Sequence, residues 1–294
     1  MMLPSDLLAT LEHDVEHALS TGDESALEIL GYGEISPVLA VTTKEGRFAA
    51  KRLPLFGGRA SFERYRACFF EYLAALDTAH TRVVPTALQD VTGADGRIAA
   101  YCVQPGLDAD AIGPAVLARG QDDRAQRMID GIIDAIGATV TARLGLDAQL
   151  SNWVLDGDAL SYLDVTTPLL RDDAGSERLD TELFLASLPW ALRGAVRRFL
   201  LQGILDKYYD VRGVTLDFAA NLLKEKLEGF LPRVLEQADA RLGVKLSLEE
   251  VRRYYAEDAR TWALLQRLRR WDRAWQRGVR RRPYPFLLPG DIDR

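Results

Sequence analysis

Three polar residues near the middle of the chain have the types and the spacing of a metal-assisted catalytic site. Asn152 follows Asp147 by five residues, and Asp164 follows Asn152 by twelve. Between Asn152 and Asp164, two short apolar runs flank an Asp-Gly-Asp turn at 156–158, which predicts a tight β-hairpin. A hairpin of this length can bring the three side chains to one point in space. Two oxygen ligands and a proton acceptor at one point are what Mg²⁺-dependent phosphoryl transfer requires.

A second group of candidate residues lies upstream, in a β-rich stretch and the helix that follows it. The segment 30–38, Leu-Gly-Tyr-Gly-Glu-Ile-Ser-Pro-Val, is a turn with few side chains, through which backbone N–H groups can approach phosphates. An ordinary β-turn is the alternative interpretation. Lys51 follows two alanines in the next β-prone run, where an edge-strand lysine is the alternative. Glu71 lies among aromatic residues on the predicted helix, and a carboxylate in such surroundings requires a cation partner.

The elements that must position these residues change from β-rich to helical along the chain. A first helix, which Ser5 can cap, precedes a series of short strands that contains one helix. Helical patterns dominate after Gly106, apart from the hairpin. The predicted helices are Ser61 to about Ala75, Asp122 to Leu144, and most of Glu182 to Trp275 with breaks near Gly213, Pro232 and Gly243; the last two strands before the helical part are Thr81–Leu88 and Ile98–Val103.

These segments, taken in order, resemble the protein-kinase-like fold, and in particular its aminoglycoside phosphotransferase and choline kinase branch. The resemblance implies an α+β fold of two lobes: an accessory helix at 1–26, a β-rich N-lobe at 27–103 and a helical C-lobe at 104–294. It also implies ATP and Mg²⁺ as cofactors. The residues similar to the kinase glycine-rich loop, and therefore expected to bind the nucleotide, are Gly31, Gly33, Ser36 and Val38, with Ser36 in place of the third glycine.

The same resemblance implies a role for each residue of the catalytic segment. Asp147 matches the aspartate of an H-x-D motif, and Asn152 matches the asparagine five residues later. Asp147 would orient or deprotonate the acceptor hydroxyl. Asn152 and Asp164 would hold Mg²⁺, with Asp164 in the place of the aspartate of the D-F-G motif. A solvated loop with chance Asp and Asn residues is the alternative interpretation.

The remaining nucleotide contacts are also implied by the resemblance. Lys51 would contact the α- and β-phosphates of ATP and would pair with a glutamate of the following helix. Spacing favours Glu71 as that partner over Glu63, which lies on the same helix. Val103 and Gln104 begin the expected hinge between the lobes, whose backbone would contact adenine.

Two departures from the family pattern bear on activity. The histidine of the catalytic motif is absent, since Leu-Gly-Leu at 144–146 precedes Asp147, and Asp164 is followed by Val-Thr-Thr-Pro instead of Phe-Gly. The leading hypothesis is ATP-dependent phosphoryl transfer to a hydroxyl of a small molecule. The alternatives are a pseudokinase-type module that binds a nucleotide or a partner without transferring phosphate, and an enzyme that transfers AMP.

Composition limits the partners. The net charge of −6 argues against a general nucleic-acid binder, and the chain contains no run of 18 apolar residues that would predict a membrane span. The amino terminus lacks the basic region and apolar core of a signal peptide, and the two cysteines, Cys68 and Cys102, are expected to be reduced core residues. We therefore expect a cytoplasmic protein whose partners are a nucleotide and a small-molecule substrate, without a membrane; composition disfavours nucleic acid as a partner.

An arginine-rich stretch near the carboxyl end is the main exception to this acidic composition. Residues 251–282 contain eleven arginines against three acidic residues. Trp262, Leu265, Leu268, Trp271 and Trp275 recur at helical spacing. The pattern favours an amphipathic helix that packs its tryptophan face on the acidic body and exposes its arginines. An anionic substrate site, a nucleic-acid contact and a partner surface remain alternatives.

Overall fold

A five-stranded antiparallel sheet forms the first part of the chain, and helices with one β-hairpin form most of the rest. The computed structural model describes residues 2–32, 37–180, 185, 193–194, 201–281, 284 and 286–287. The predicted α+β class, a small β-rich part followed by a mostly helical part, is confirmed. Among the helices within these ranges, none is both long and apolar enough to cross a membrane.

The strands of the sheet are antiparallel throughout. They are β1 (Ile29–Tyr32), β2 (Pro37–Thr43), β3 (Gly46–Arg52), β4 (Ala87–Thr92) and β5 (Ile98–Pro105). Their spatial order is β1-β2-β3-β5-β4. Because side chains alternate along a strand, Ala50 and Arg52 of β3 lie on one face of the sheet and Lys51 lies on the other.

The bounds of two strands differ from those expected. The sequence predicts a strand at Thr81–Leu88, but β4 begins only at Ala87, because Pro85 lacks the N–H that a ladder needs. β5 continues to Pro105, beyond the expected end at Val103, since its pairing with β3 extends that far. The first residues of the expected hinge therefore belong to the sheet.

The hairpin predicted from the Asp-Gly turn is confirmed. It consists of β6 (Trp153–Asp156) and β7 (Ala159–Tyr162). Gly157 in the two-residue turn has φ 58°, the left-handed conformation that such turns require and that glycine adopts at least cost. The strands are short and locally specified, so the residues that flank the hairpin are held close together.

The helices of the described ranges cover both sides of the sheet and form most of the helical part. They are α1 (Ser5–Thr21), α2 (Arg59–Thr78), α3 (Gly113–Ala118), α4 (Asp123–Thr139), α5 (Leu201–Asp206), α6 (Val211–Lys224), α7 (Leu231–Leu242) and α8 (Leu248–Gly278). α2 extends a few residues beyond its predicted bounds at both ends. Within the stretch predicted as helical, residues 182–184, 186–192 and 195–200 lie outside the described residues.

Two helix ends also differ from expectation. Pro4, not Ser5, precedes the first turn of α1, so Ser5 lies inside the helix and does not cap it. α4 ends at Thr139, short of the expected end at Leu144. The reason is local: the Thr141 hydroxyl accepts the Leu144 N–H at 3.0 Å, a turn that competes with continuation of the helix.

The predicted breaks in the later helices are confirmed in position, with different local causes. Asp210 caps α6 by accepting the Gly213 N–H at 2.8 Å, so the break comes just before Gly213. Pro232 lies in the first turn of α7, where its missing N–H costs nothing. Gly243 ends α7 in a left-handed conformation, with φ 66°.

The predicted orientation of α8 is wrong for its tryptophans. Trp271 is 79 % exposed and Trp275 is 51 % exposed, whereas Arg269 is only 4 % exposed. The guanidinium of Arg269 lies 5.5 Å from the ring centre of Trp262. Trp271 follows Trp262 by three steps of three residues, which at 3.6 residues per turn is about two and a half turns around the helix axis. The two indoles therefore project from opposite sides of α8.

α1 is fixed to the sheet by apolar packing and by one buried ion pair. Leu8 and Val15 of α1 pack in a cluster with Phe48 on the same face of the sheet as Arg52. Arg52 donates to Glu12 of α1 from Nε at 2.8 Å and from Nη2 at 2.6 Å. The two side chains are 5 % and 7 % exposed, so each charge depends on the other for its compensation.

Replacement of Glu12 by Gln is expected to lower the free energy of unfolding by about 3 kcal/mol, because it leaves the Arg52 guanidinium buried without a counter-charge. Urea denaturation followed by circular dichroism measures this difference. Glu16→Gln, one turn further along α1 on its exposed side, is the matched control and should change stability by less than about 0.5 kcal/mol. Equal midpoints for the two variants would contradict the prediction.

Candidate functional site

The hairpin brings the three polar residues of the catalytic segment to one region. Asp147 and Asn152 lie in the loop that enters β6, and the Asn152 carboxamide donates to the Asp147 backbone carbonyl at 3.1 Å. The Leu163 N–H donates to the Asn152 carbonyl at 2.8 Å. Because Leu163 directly precedes Asp164, this backbone bond places Asp164 next to the loop. The amide of Asn152 is used as a donor, which leaves its Oδ1 available to a metal ion.

Lys51 of β3 reaches across to this region and meets Asp164. Its Nζ lies 2.8 Å from Oδ1 and 2.7 Å from Oδ2 of that carboxylate, 113 residues away in the sequence. Thr166 donates its hydroxyl to Asp164 at 2.7 Å. Burial raises the pKa of Asp164, but the charge of Lys51 and the hydrogen bonds from Lys51 and Thr166 outweigh burial and hold it below its ordinary value. Asp164 is therefore ionised near neutral pH, as a metal ligand must be.

The expected ion pair between Lys51 and Glu71 is absent. Glu71 pairs with Arg178 at 2.8 Å, and Glu63, the alternative, pairs with arginines of its own helix. The cause lies in the faces of α2: its buried stripe consists of Phe62, Tyr65, Cys68, Phe69, Tyr72 and Leu76. Glu71 is next to this stripe on the exposed side, so α2 presents no carboxylate to Lys51.

Two of the four residues assigned to the glycine-rich loop can be placed. Gly31 of β1 is the register partner of Val38 in β2, and Val38 is the partner of Lys51 in β3. The pairing shifts between Ile29 and Gly31. Gly31, Val38 and Lys51 therefore lie side by side across three strands, as a loop above the phosphates of a nucleotide would require. Gly33 and Ser36 lie outside the described residues.

Val103 and Gln104 have different surroundings. Val103 is fully buried in the cluster that α1 covers, and its backbone lies between β3 and β4. The Gln104 side chain points the other way and donates from Nε2 to the Leu163 carbonyl at 2.8 Å. It also donates to the Thr86 hydroxyl at 3.0 Å. Gln104 thus links the end of β5 to the residue that precedes Asp164, a contact by its side chain that the sequence does not indicate.

Gly145 occupies the position of the missing histidine, two residues before Asp147. A Cβ atom there would lie 3.0 Å from the Leu169 Cβ and 3.0 Å from the Tyr208 carbonyl oxygen. A histidine at this position would therefore require Leu169 and the Tyr208 backbone to shift by a few tenths of an ångström. The loop is held by other bonds: Tyr72 donates its hydroxyl to the Gly145 carbonyl at 3.1 Å, and the N–H of the next residue donates to the Tyr208 carbonyl at 3.1 Å.

Asp147 lies in an environment that disfavours its charge. Burial, followed by the charges of Asp217 and Asp164, raises its pKa to about 7, although Lys207 acts in the opposite direction. A carboxyl group with a pKa near the working pH can accept a proton and return it with little energetic loss. Asp147 is therefore suited to act as a general base.

A partly buried polar cluster beside Asp147 was missed from the sequence. Lys207 donates to Asp217 of α6 at 2.8 Å and to the Tyr254 hydroxyl of α8 at 3.1 Å. Tyr254 in turn donates to Asp217 at 2.6 Å. One signal could have indicated it: Asp217 stands between Leu216 and Phe218 in an apolar helical run, the same argument that singled out Glu71.

The oxygen ligands at this site fit a magnesium ion that arrives with a nucleotide. The described residues contain no group of three or more His, Cys, Asp or Glu side chains that could hold a metal by themselves. Mg²⁺ is commonly held by one or two protein oxygens together with substrate phosphates. Asn152 and Asp164 could supply those two protein ligands.

Cys68 and Cys102, as expected, are free and buried.

A family model matches most of the chain. A model of a family described as a family of unknown function (DUF6206) matches residues 10–273. A search of curated proteins found no match. The matched range contains Lys51, Asp147, Asn152 and Asp164, so the whole candidate site lies within the family region.

Proposed function

We propose that this chain, which belongs to the family DUF6206, is an ATP-dependent phosphotransferase with a two-lobed kinase-like fold, acting on a hydroxyl group of a small molecule with the help of Mg²⁺. The observation that carries the proposal is the contact between Lys51 and Asp164, which joins the sheet to the hairpin beside Asp147 and Asn152. A phosphate-binding cation, a metal-binding carboxylate and a candidate base in one place are the parts that phosphoryl transfer needs.

The chain's own residues would divide the work as follows. Lys51 would bind the α- and β-phosphates, while Asn152 and Asp164 would hold Mg²⁺, which neutralises phosphate charge when bound. Asp147 would orient the acceptor hydroxyl and take its proton. As the acceptor oxygen forms its bond to the γ-phosphorus, the bond from that phosphorus to the β–γ bridging oxygen breaks, and ADP leaves with the electron pair.

The adenine end of the nucleotide would lie against the open edge of β5. Pairing with β4 stops at Val103, whereas β5 continues through Gln104 to Pro105. Because Gly106 bonds to Arg47 of β3 and the backbone groups of an antiparallel strand alternate in direction, the Pro105 carbonyl faces that open edge and is available to a base. Gly31 and Val38, next to Lys51 across the strands, would cover the ribose and phosphates.

A pseudokinase is the second candidate, and two observations favour it. No glutamate of α2 pairs with Lys51, and the catalytic-motif histidine would be crowded at position 145. Neither absence removes a group that touches the reacting atoms, because Lys51 and Asp147 are both present. Transfer of AMP is a third option, which the mass of the product distinguishes from transfer of phosphate.

Thermal unfolding with and without nucleotide separates these functions. Mg²⁺ and ATP at one hundred times the dissociation constant should stabilise the protein by about 2.7 kcal/mol, raising its melting temperature by about 5 °C. ADP release should then be detected across a panel of hydroxyl acceptors, with ATP plus a chelator as the control. A thermal shift without turnover of any acceptor would favour the pseudokinase, and the absence of any shift would contradict nucleotide binding itself.

A further inference from the structure

α2 makes three side-chain contacts with the chain on either side of the hairpin. Tyr65, Glu71 and Tyr72 reach Thr166, Arg178 and Gly145 respectively. Two of these contact partners flank the catalytic segment: Gly145 lies two residues before Asp147, and Thr166 lies two residues after Asp164. One helix of the β-rich part is therefore bonded to both ends of the candidate site.

The contact of Tyr65 supports the metal-binding end. Its hydroxyl donates to the Thr166 backbone carbonyl at 2.9 Å, and the side chain is 3 % exposed. Thr166 in turn donates both its N–H and its hydroxyl to the Asp164 carboxylate. The orientation of the Asp164 carboxylate therefore depends on a residue that Tyr65 holds in place.

The contact of Tyr72 supports the other end. Its hydroxyl donates to the Gly145 carbonyl at 3.1 Å, and the side chain is fully buried. The Tyr162 phenol of β7 is also buried and lies near both Tyr72 and Asp147. The two phenols thus lie beneath the loop that carries Asp147.

The spacing of the two tyrosines explains how one helix serves both ends. Seven residues are nearly two full turns, so Tyr65 and Tyr72 share a face of α2 and lie about 10 Å apart along its axis. Both belong to its buried stripe, whereas Glu71 does not. The two phenol hydroxyls therefore contact the residues that flank the catalytic segment. The family resemblance predicts a different contact from this helix, by a glutamate to Lys51.

We propose that Tyr65 and Tyr72 are positioning residues that hold the Asp164 segment and the Asp147 loop in register with each other, in place of the absent pair between Lys51 and Glu71. The kinetic part of this inference rests on the proposed phosphotransferase function. The structural part, a two-point bond from α2 to the hairpin segments, does not.

The kinetic test compares two Tyr→Phe variants, which keep the aromatic ring and remove only the hydroxyl. Tyr65→Phe should raise the Mg²⁺ concentration that gives half-maximal rate about tenfold, with little change in kcat at saturating Mg²⁺, because it loosens the support of a metal ligand. Tyr72→Phe should lower kcat about tenfold and leave the KM for Mg-ATP unchanged, because it loosens the loop that carries the base. Identical losses in the two variants, or none in either, would overturn the division of roles.

A control and a second measurement keep the proposal testable if the chain has no turnover. Tyr101→Phe removes a buried hydroxyl that donates to Glu12 on the opposite face of the sheet, and it should destabilise the fold without altering either kinetic constant. Hydrogen exchange of the apo protein requires no activity: Tyr72→Phe should raise exchange at residues 146–152, and Tyr65→Phe at residues 165–167. Unchanged exchange in both variants would refute the structural inference, whereas a lack of turnover in the wild type would contradict only the proposed function.

Discussion

Replacement of Asp147 by Asn is expected to lower the rate of phosphoryl transfer about 10³-fold while leaving the affinity for Mg-ATP close to that of the wild type. The change keeps the shape of the side chain and removes its ability to accept a proton from the acceptor hydroxyl. Nucleotide binding should persist, because Lys51, Asn152 and Asp164 are unchanged. Burial disfavours the charge of Asp147, so the neutral amide should also be tolerated by the fold.

Two measurements on the same protein decide this prediction. ADP release gives the rate of transfer, and the thermal shift caused by Mg-ATP gives nucleotide binding. Asp156→Asn is the matched control, because Asp156 is an exposed carboxylate at the end of β6 in the same hairpin, and its rate should equal that of the wild type. An Asp147→Asn variant that retains full turnover would remove Asp147 from the catalytic role and weaken the whole assignment.

The sequence predicts the hairpin well because its causes are local. The Asp-Gly turn specifies the left-handed conformation at Gly157, and the short apolar runs on both sides determine the register. Asp147, Asn152 and Asp164 follow from that geometry, since all three lie within a few residues of the two strands. Local signals of this kind act before any distant contact is formed.

Contacts between distant segments are predicted less reliably, as Lys51 and Glu71 illustrate. A strand lysine and a helix glutamate twenty residues apart fit a known pattern, but which side chain faces the lysine depends on the rotation of α2. The aromatic residues of α2 determine that rotation, since they bury one stripe, and Glu71 falls just outside it. One residue along a helix corresponds to a turn of about 100°, which is enough to change the partner.

Arginine and tryptophan in α8 give a second example of the same limit. Apolar residues at steps of three resemble an amphipathic stripe, but each step falls about 60° short of a full turn. Over Trp262 to Trp271 these differences add up to half a turn, so Trp271 is exposed while Arg269 is buried. Adding the angles between successive apolar residues predicts that Trp262 and Trp271 lie on opposite faces of α8, whereas counting spacings of three residues does not.

Asp164→Ala should abolish phosphoryl transfer and, in contrast to Asp147→Asn, should also remove the contribution of Mg²⁺ to ATP binding. Asp164 is the carboxylate of the expected metal site, and Asn152 alone provides a single neutral oxygen. The structure also predicts that the same variant keeps or gains affinity for ATP without metal. Because Lys51 donates to both oxygens of Asp164, the variant releases this ammonium for phosphate. ATP without metal should therefore bind the variant at least as tightly as it binds the wild type.

The thermal shift measured in a two-by-two design tests this prediction directly. Wild type and Asp164→Ala are each titrated with ATP in the presence of Mg²⁺ and in the presence of a chelator. The expected result is that Mg²⁺ tightens binding only in the wild type, while metal-free ATP shifts both proteins. Asp158→Ala, in the exposed turn of the hairpin, should behave as the wild type does.

Equal tightening by Mg²⁺ in the Asp164 variant would show that the metal is held elsewhere. Weaker binding of metal-free ATP by that variant would show that Lys51 does not contact phosphate. Since Lys51 belongs to the sheet and Asp164 to the hairpin, this single substitution tests whether the two parts of the chain form one nucleotide site.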